Sequence, residues 1–120
     1  MLTEFLTGLP KVYLAVGFTD MRKSLDGLSA LVEQKYNLDP FQTAAFLFCG
    51  RKSDRIKILI WDSDGYLLLY KRLENGSRYQ WPRSADQVRE LSEREIRWLL
   101  ECIDIDQPKA SKKFYPKSLL

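Results

Sequence analysis

The chain has 120 residues, 45% of them hydrophobic and 29% charged, with a formal net charge of +3. That is the size and composition of one globular domain able to bury a core without disulfide or metal staples. Histidine is absent, which excludes a Ser-His or Cys-His nucleophile pair, histidine metal ligation and a histidine-based nuclease centre.

Met1–Pro10 lacks the basic start and long apolar stretch of a signal peptide. Lys11–Val16, KVYLAV, is short, apolar and β-prone and predicts a first strand, which Gly17 ends. Thr19 or Asp20 is placed to cap a helix running to about Lys35. Its apolar stripe is Met21, Leu25, Leu28, Leu31 and Val32. Gly27 inside that helix costs ~1 kcal/mol relative to Ala, which implies a neighbour packed close to it. Asn37–Pro40 reads as a loop and Ala45–Cys49, AFLFC, as the second strand. Arg51–Asp54 is a polar turn, and Arg55–Trp61 is a third strand with Ile56, Ile58 and Ile60 on one face. Asp62-Ser63-Asp64-Gly65 turns the chain, Asp accepting backbone N–H bonds and Gly supplying positive φ. Tyr66–Leu73 is the fourth strand. Asn75-Gly76 is a hairpin signal leading into a fifth, Ser77–Trp81, which Pro82 stops. Ser92 and Glu95 form a capping-box pattern. The helix after it, about Glu93–Ile103, buries Ile96, Leu99, Leu100 and Ile103, with Trp98 on the opposite side.

The expected fold is α+β: an antiparallel meander of about five strands with two main helices packed on one face. One domain is expected over residues 1–106, followed by a basic, flexible tail over residues 107–120. No apolar run is long enough to span a bilayer, and the expected location is the cytoplasm. Cys49 and Cys102 have no second Cys at metal-ligand spacing, so both are expected reduced and packed. No cofactor is expected.

Charge is uneven along the chain. Gly50–Arg83 holds eight basic and four acidic residues, Ser84–Asp106 three basic and seven acidic, and Gln107–Leu120 four lysines and no acid. Such asymmetry points to an anion-facing region and a tail suited to a polyanion. Arg51, Lys52, Arg55, Lys57, Lys71, Arg72 and Arg78 lie close to Tyr70, Tyr79 and Trp81. Cations for phosphates and flat rings for bases are what nucleic-acid surfaces supply. The candidate nucleic-acid contacts are therefore Arg51, Lys52, Arg55, Lys57, Tyr70, Lys71, Arg72, Arg78 and, in the tail, Lys112 and Lys113. The competing reading makes the rings core and leaves the cations solvated. The turn decides: a two- or four-residue loop sets Lys57, Leu59 and Trp61 beside Leu68, Tyr70 and Arg72. A three-residue loop with a bulge sets Lys57 beside Lys71 instead.

Asp54, Asp62 and Asp64 invite a Mg²⁺ site, although Asp62 and Asp64 also meet the ordinary demands of a tight turn, and the turn is the favoured reading. Arg22 and Lys23 sit in the first turn of the predicted helix, where the dipole disfavours cations, and so mark a partner contact. Trp98, a large ring on the polar side of an amphipathic helix, marks another.

The blocks VYLAVGFTDMRKSLDGLSALV, DPF and RKSDRIKILIWDSDGYLLLYKRLENGSRYQWP resemble those of the insertion sequence 66 accessory protein, the "Orf2-like" product of those bacterial transposable elements. The resemblance is strong from Lys11 to Pro82 and looser through LSEREIRWLLECIDI and the tail. It departs at QTAA, at Cys49-Gly50 and at Ser77-Arg78-Tyr79. It implies a protein needed for transposition, with no assigned biochemical role, acting beside the transposase that does the strand chemistry. Because the residues show no catalytic constellation, a non-enzymatic role is expected. The first expectation is that the cationic strand surface and lysine tail hold element DNA while another face docks the transposase. The alternative is a protein adaptor without DNA affinity, with Trp98 at the contact. A Mg²⁺-dependent nuclease using Asp62 and Asp64 is a third reading. No membrane partner is implied, and a homo-oligomer is left open.

Overall fold

A computed structural model describes residues 1–84 and 87–107. A five-stranded sheet in the order β4-β3-β2-β1-β5 forms its centre. The strands are β1 (Lys11–Ala15), β2 (Ala44–Cys49), β3 (Arg55–Asp62), β4 (Gly65–Arg72) and β5 (Val88–Glu90). β1 and β2 run parallel, Val12 opposite Ala45, because a helix crosses between them. The other pairings are antiparallel: Leu47 faces Ile58, Lys57 faces Tyr70 and Leu14 faces Arg89. The fold class is α+β with a five-stranded sheet, as the sequence predicts, but the sheet is mixed: the parallel β1–β2 pair interrupts the expected antiparallel meander.

The helices cover both faces of the sheet, where the sequence suggested one. Every residue of β2 is buried, as are Val12–Ala15 of β1. Strands apolar on both sides need cover on both sides. On one face, Leu14, Leu47 and Ile58 pack with Leu6 of α1 (Leu2–Thr7) and with Ile96 and Leu99 of α3 (Glu93–Leu100). On the other, Tyr13, Phe46, Phe48 and Leu59 pack with Leu28 and Val32 of α2 (Leu25–Ala30) and its extension. Each fully buried Leu or Ile contributes roughly 1.5–3 kcal/mol. The faces are called the α3 face and the α2 face below.

Local differences from the prediction have physical causes. Asp20 does not cap a helix. Its carboxylate accepts from the Arg22 N–H at 2.9 Å and closes a short turn, so α2 begins only at Leu25, after Ser24. Over Leu31–Lys35 the helix widens to i→i+5 bonding, Tyr36 N–H donating to Leu31 C=O at 3.1 Å. The close neighbour implied at Gly27 is the Lys23 side chain, 3.3 Å from where a Cβ would stand.

Ser77–Trp81 is not a strand. Asn75 and Gly76 do take positive φ, 58° and 76°, as a tight turn asks. The chain then leaves the sheet edge to bury Tyr79 and Trp81 on the α3 face. Tyr79 N–H donates to Ser53 C=O at 2.7 Å, and Trp81 Nε1 donates to Ala15 C=O at 2.9 Å. The fifth strand is β5 instead. α3 opens on the predicted capping box, Glu95 N–H donating to Ser92 Oγ at 3.1 Å. It stops at Leu100, and Cys102 turns with φ 62°, so Ile103 leaves the buried stripe and is exposed. Among the described residues no helix is long and apolar enough to cross a membrane.

Candidate nucleic-acid interface

A two-residue turn, Ser63-Asp64, joins β3 to β4, with Asp62 opposite Gly65. Positive φ falls on Ser63, 57°, and not on Gly65, which is the first residue of β4. This register sets Lys57 opposite Tyr70 and Arg55 opposite Arg72. Side chains alternate along a strand, so Arg55, Lys57, Tyr70 and Arg72 share the α2 face with Leu59. Lys71, opposite Ile56, falls on the α3 face, apart from the others.

The turn at Thr19–Ser24 closes over this group. Thr19 N–H donates to Cys49 C=O at 2.8 Å. Lys57 Nζ donates to Lys23 C=O at 2.9 Å, tying the turn to the sheet. Arg22 and Lys23 are therefore beside the strand cations and outside any helix, so the dipole argument for them does not apply. Two adjoining hollows result. One, of about 450 Å³, lies between Phe18–Met21 and Gly50–Lys52. The second, of about 640 Å³, runs on to Lys57, Leu68 and Tyr70. Both include Asp20, Met21 and Arg55. Arg22, Arg51, Lys52, Arg55 and Lys57 line them against one lining carboxylate, Asp20.

The segment after β4 adds two more cations. Arg78 Nη1 donates to Lys52 C=O, and Arg83 Nη2 donates to Ser53 Oγ at 3.0 Å. The Arg83 and Arg51 guanidinium groups lie 4.6 and 5.8 Å from the centre of the Phe18 ring. Neither Phe18 nor Arg83 was a candidate from sequence. Phe18 sits next to the Thr19–Ser24 turn, and Arg83 follows a proline, so no local period marks either.

Some of the charge is already used. Arg22 pairs with Asp20 at 2.8 Å, Arg55 with Asp54 at 3.0 Å, and Arg72 with Glu74 at 3.0 Å. Arg22 holds the Asp20 carboxyl down at about 2, and Arg55 holds Asp54 below the usual carboxylate range. Among the described residues Arg51, Lys52, Lys57, Arg78 and Arg83 have no carboxylate within ion-pair distance. Tyr70 is exposed at 54% beside this group. Tyr79 and Trp81 are core and unavailable to a base.

Three other candidates fall elsewhere. Asp54 and the Asp62-Asp64 turn stand at opposite ends of β3, ~26 Å apart at the usual strand rise. No group of three potential metal ligands occurs among the described residues. Trp98 is half-buried against the α3-face core and covered by the Arg94 guanidinium at 4.7 Å, rather than projecting from a polar side. Lys112 and Lys113, with most of the expected tail, lie outside the described residues. At the far end of the α2 face the exposed Phe41 meets Trp61 edge-on at 4.9 Å and stacks on Tyr66 at 5.9 Å.

Comparison with known proteins gives a context for this geometry. A family model described as "IS66 Orf2 like protein" matches residues 10–110. "Uncharacterized protein y4hO" of Sinorhizobium fredii (strain NBRC 101917 / NGR234) is 33% identical over 98 residues, covering 82% of this chain and 84% of that protein. "Uncharacterized protein y4jC" of the same organism is 30% identical over 94 residues, covering 78% and 80%. No solved structure matches. With the family model spanning most of its length and two relatives aligned over most of theirs, the chain belongs to the IS66 Orf2-like family, associated with transposition of those insertion sequences.

Proposed function

We propose that this protein is a non-catalytic accessory factor of IS66 transposition that holds the backbone of element DNA. The contact is the cationic groove between the Thr19–Ser24 turn and the β2–β3 turn. One observation carries the reading. Cations distant in sequence, Arg22, Arg51, Lys52 and Lys57, converge on one continuous groove where a single carboxylate lines the wall. A core has no use for such convergence, since each exposed ion pair contributes only ~0–1 kcal/mol. Phosphate gains from it directly, because every neutralised phosphate releases counterions. Tyr70 at the groove's end supplies a ring for an unpaired base. No sequence-specific contact is implied, as phosphate contacts position but do not specify.

Arg55 and Lys57 are already tied to Asp54 and to the Lys23 carbonyl, so replacing them would disturb the fold. Arg51 and Lys52 are exposed and, among the described residues, free of carboxylates. Arg22, though paired with Asp20, is exposed and keeps its backbone N–H bond to that carboxylate when its side chain is replaced, so these three suit the test. In fluorescence anisotropy with labelled element-end DNA, Arg22→Gln, Arg51→Gln and Lys52→Gln together should weaken binding at least tenfold. The pair Arg94→Gln and Arg97→Gln on α3 should leave it unchanged. No binding by the wild-type chain at low salt, or equal binding by the triple variant, refutes the groove. Retention of the transposase by a chain that binds no DNA favours the adaptor reading instead, with the exposed Phe41 over Trp61 and Tyr66 as its better contact.

A further inference from the structure

We propose that the outer edge of β4 pairs antiparallel with the same edge of a second copy of the chain, making a closed dimer with one continuous sheet. β4 ends the sheet, and among the described residues no backbone group of Gly65–Arg72 bonds to anything other than β3. The direction of the free groups follows from the register. Leu73 N–H donates to Asp54 C=O at 2.6 Å, and such inward bonds recur at every second residue of an antiparallel pair. The odd residues of β4 therefore bond to β3. Tyr66, Leu68, Tyr70 and Arg72 turn their N–H and C=O groups outward. Eight residues of unpaired strand form a template for another chain. The opposite edge, β5, has only three residues.

The charges along the strand select the occupant. Asp62 and Asp64 stand at one end of β4, and Lys71 and Arg72 at the other. Antiparallel self-pairing brings each acidic end against the basic end of the other copy. With Leu68 opposite Leu68 of the second copy, outward groups meet outward groups and Tyr66 faces Tyr70 of the second copy. Asp64 then faces Arg72 of the second copy, and symmetry repeats the contact. Glu74, now paired with Arg72, lies past the strand end, where the chain turns away. The pairing also covers part of Leu67 and Tyr70, two of the larger apolar side chains left exposed. A twofold axis normal to the sheet keeps both α2 faces on one side, so the two basic grooves open in the same direction.

Sedimentation equilibrium of the full chain without DNA reads the proposal. The expected mass rises with concentration from 14.1 kDa toward twice that value. Tyr70→Pro removes one outward N–H and leaves the bonds to β3 in place, so that variant should stay monomeric with an unchanged circular dichroism spectrum. Asp64→Lys alone and Arg72→Glu alone should each weaken self-association roughly tenfold, and the two together should restore it. A chain that stays monomeric at every concentration overturns the proposal, as it would if residues 108–120 occupied the edge. A dimer indifferent to Tyr70→Pro and to both single charge reversals overturns it too.

Discussion

Asp20 shows how one side chain shapes the groove. A carboxylate at the end of a β1 extension would ordinarily cap a helix. Here the Arg22 guanidinium and backbone N–H capture it first, and the chain makes a compact turn. The turn's Lys23 carbonyl then points at Lys57 Nζ. Because Arg22 depresses the Asp20 carboxyl from 3.8 to about 2, the ionised form is favoured in the folded chain. The resulting stabilisation is complete above pH 3.8 and is lost as pH falls through about 2. Asp20→Asn should therefore lower the urea midpoint at pH 7, and the gap to wild type should close below about pH 2. A gap independent of pH would show that the pair contributes nothing through its charge.

At the scale of elements, the segment after β4 decides the shape of the basic end. Its Asn75-Gly76 turn and alternating residues promise a hairpin, but burial of Tyr79 and Trp81 outweighs pairing as a sixth strand on the β4 edge. The cost is visible in Tyr79, whose hydroxyl is buried and has no hydrogen-bond partner among the described residues. An orphaned buried hydroxyl costs about 1–3 kcal/mol. Tyr79→Phe should therefore stabilise the chain by about 1 kcal/mol in chemical unfolding, and a loss of that size would mean the hydroxyl is satisfied. The same segment marks where sequence stops being legible. Alternation in β3, continuous burial in β2 and the Ser92–Glu95 cap were readable because each rests on local period or spacing. The apolar runs KVYLAV and AFLFC also carried the signal for two-sided cover, though a meander with helices on one face overlooked it. Tyr79, Trp81 and Asp20 were not readable, because their partners, Ser53, Ala15 and a competing Arg22, are chosen by tertiary contact or side-chain competition.

Across the whole molecule, the sheet separates its properties. The α3 face is filled by α1, α3 and the Tyr79–Trp81 segment. The α2 face carries cations at one end and the Phe41-Trp61-Tyr66 cluster at the other. The strand register that makes this division was one of two open from sequence, since a bulge at Gly65 would have turned Lys57 toward Lys71. Convergence of Arg22 and Arg51 on the same groove was not readable at all, as the turns that bring them together are set by long-range bonds such as Thr19 to Cys49.

The most direct measurement is the salt dependence of DNA binding by the wild-type chain and the Arg22, Arg51, Lys52 triple variant. A plot of log Kobs against log salt concentration should have a slope steeper than about −3 for wild type, and the variant's slope should be shallower by about 2–3. A flat plot, or the same slope for both proteins, would contradict a phosphate-holding groove.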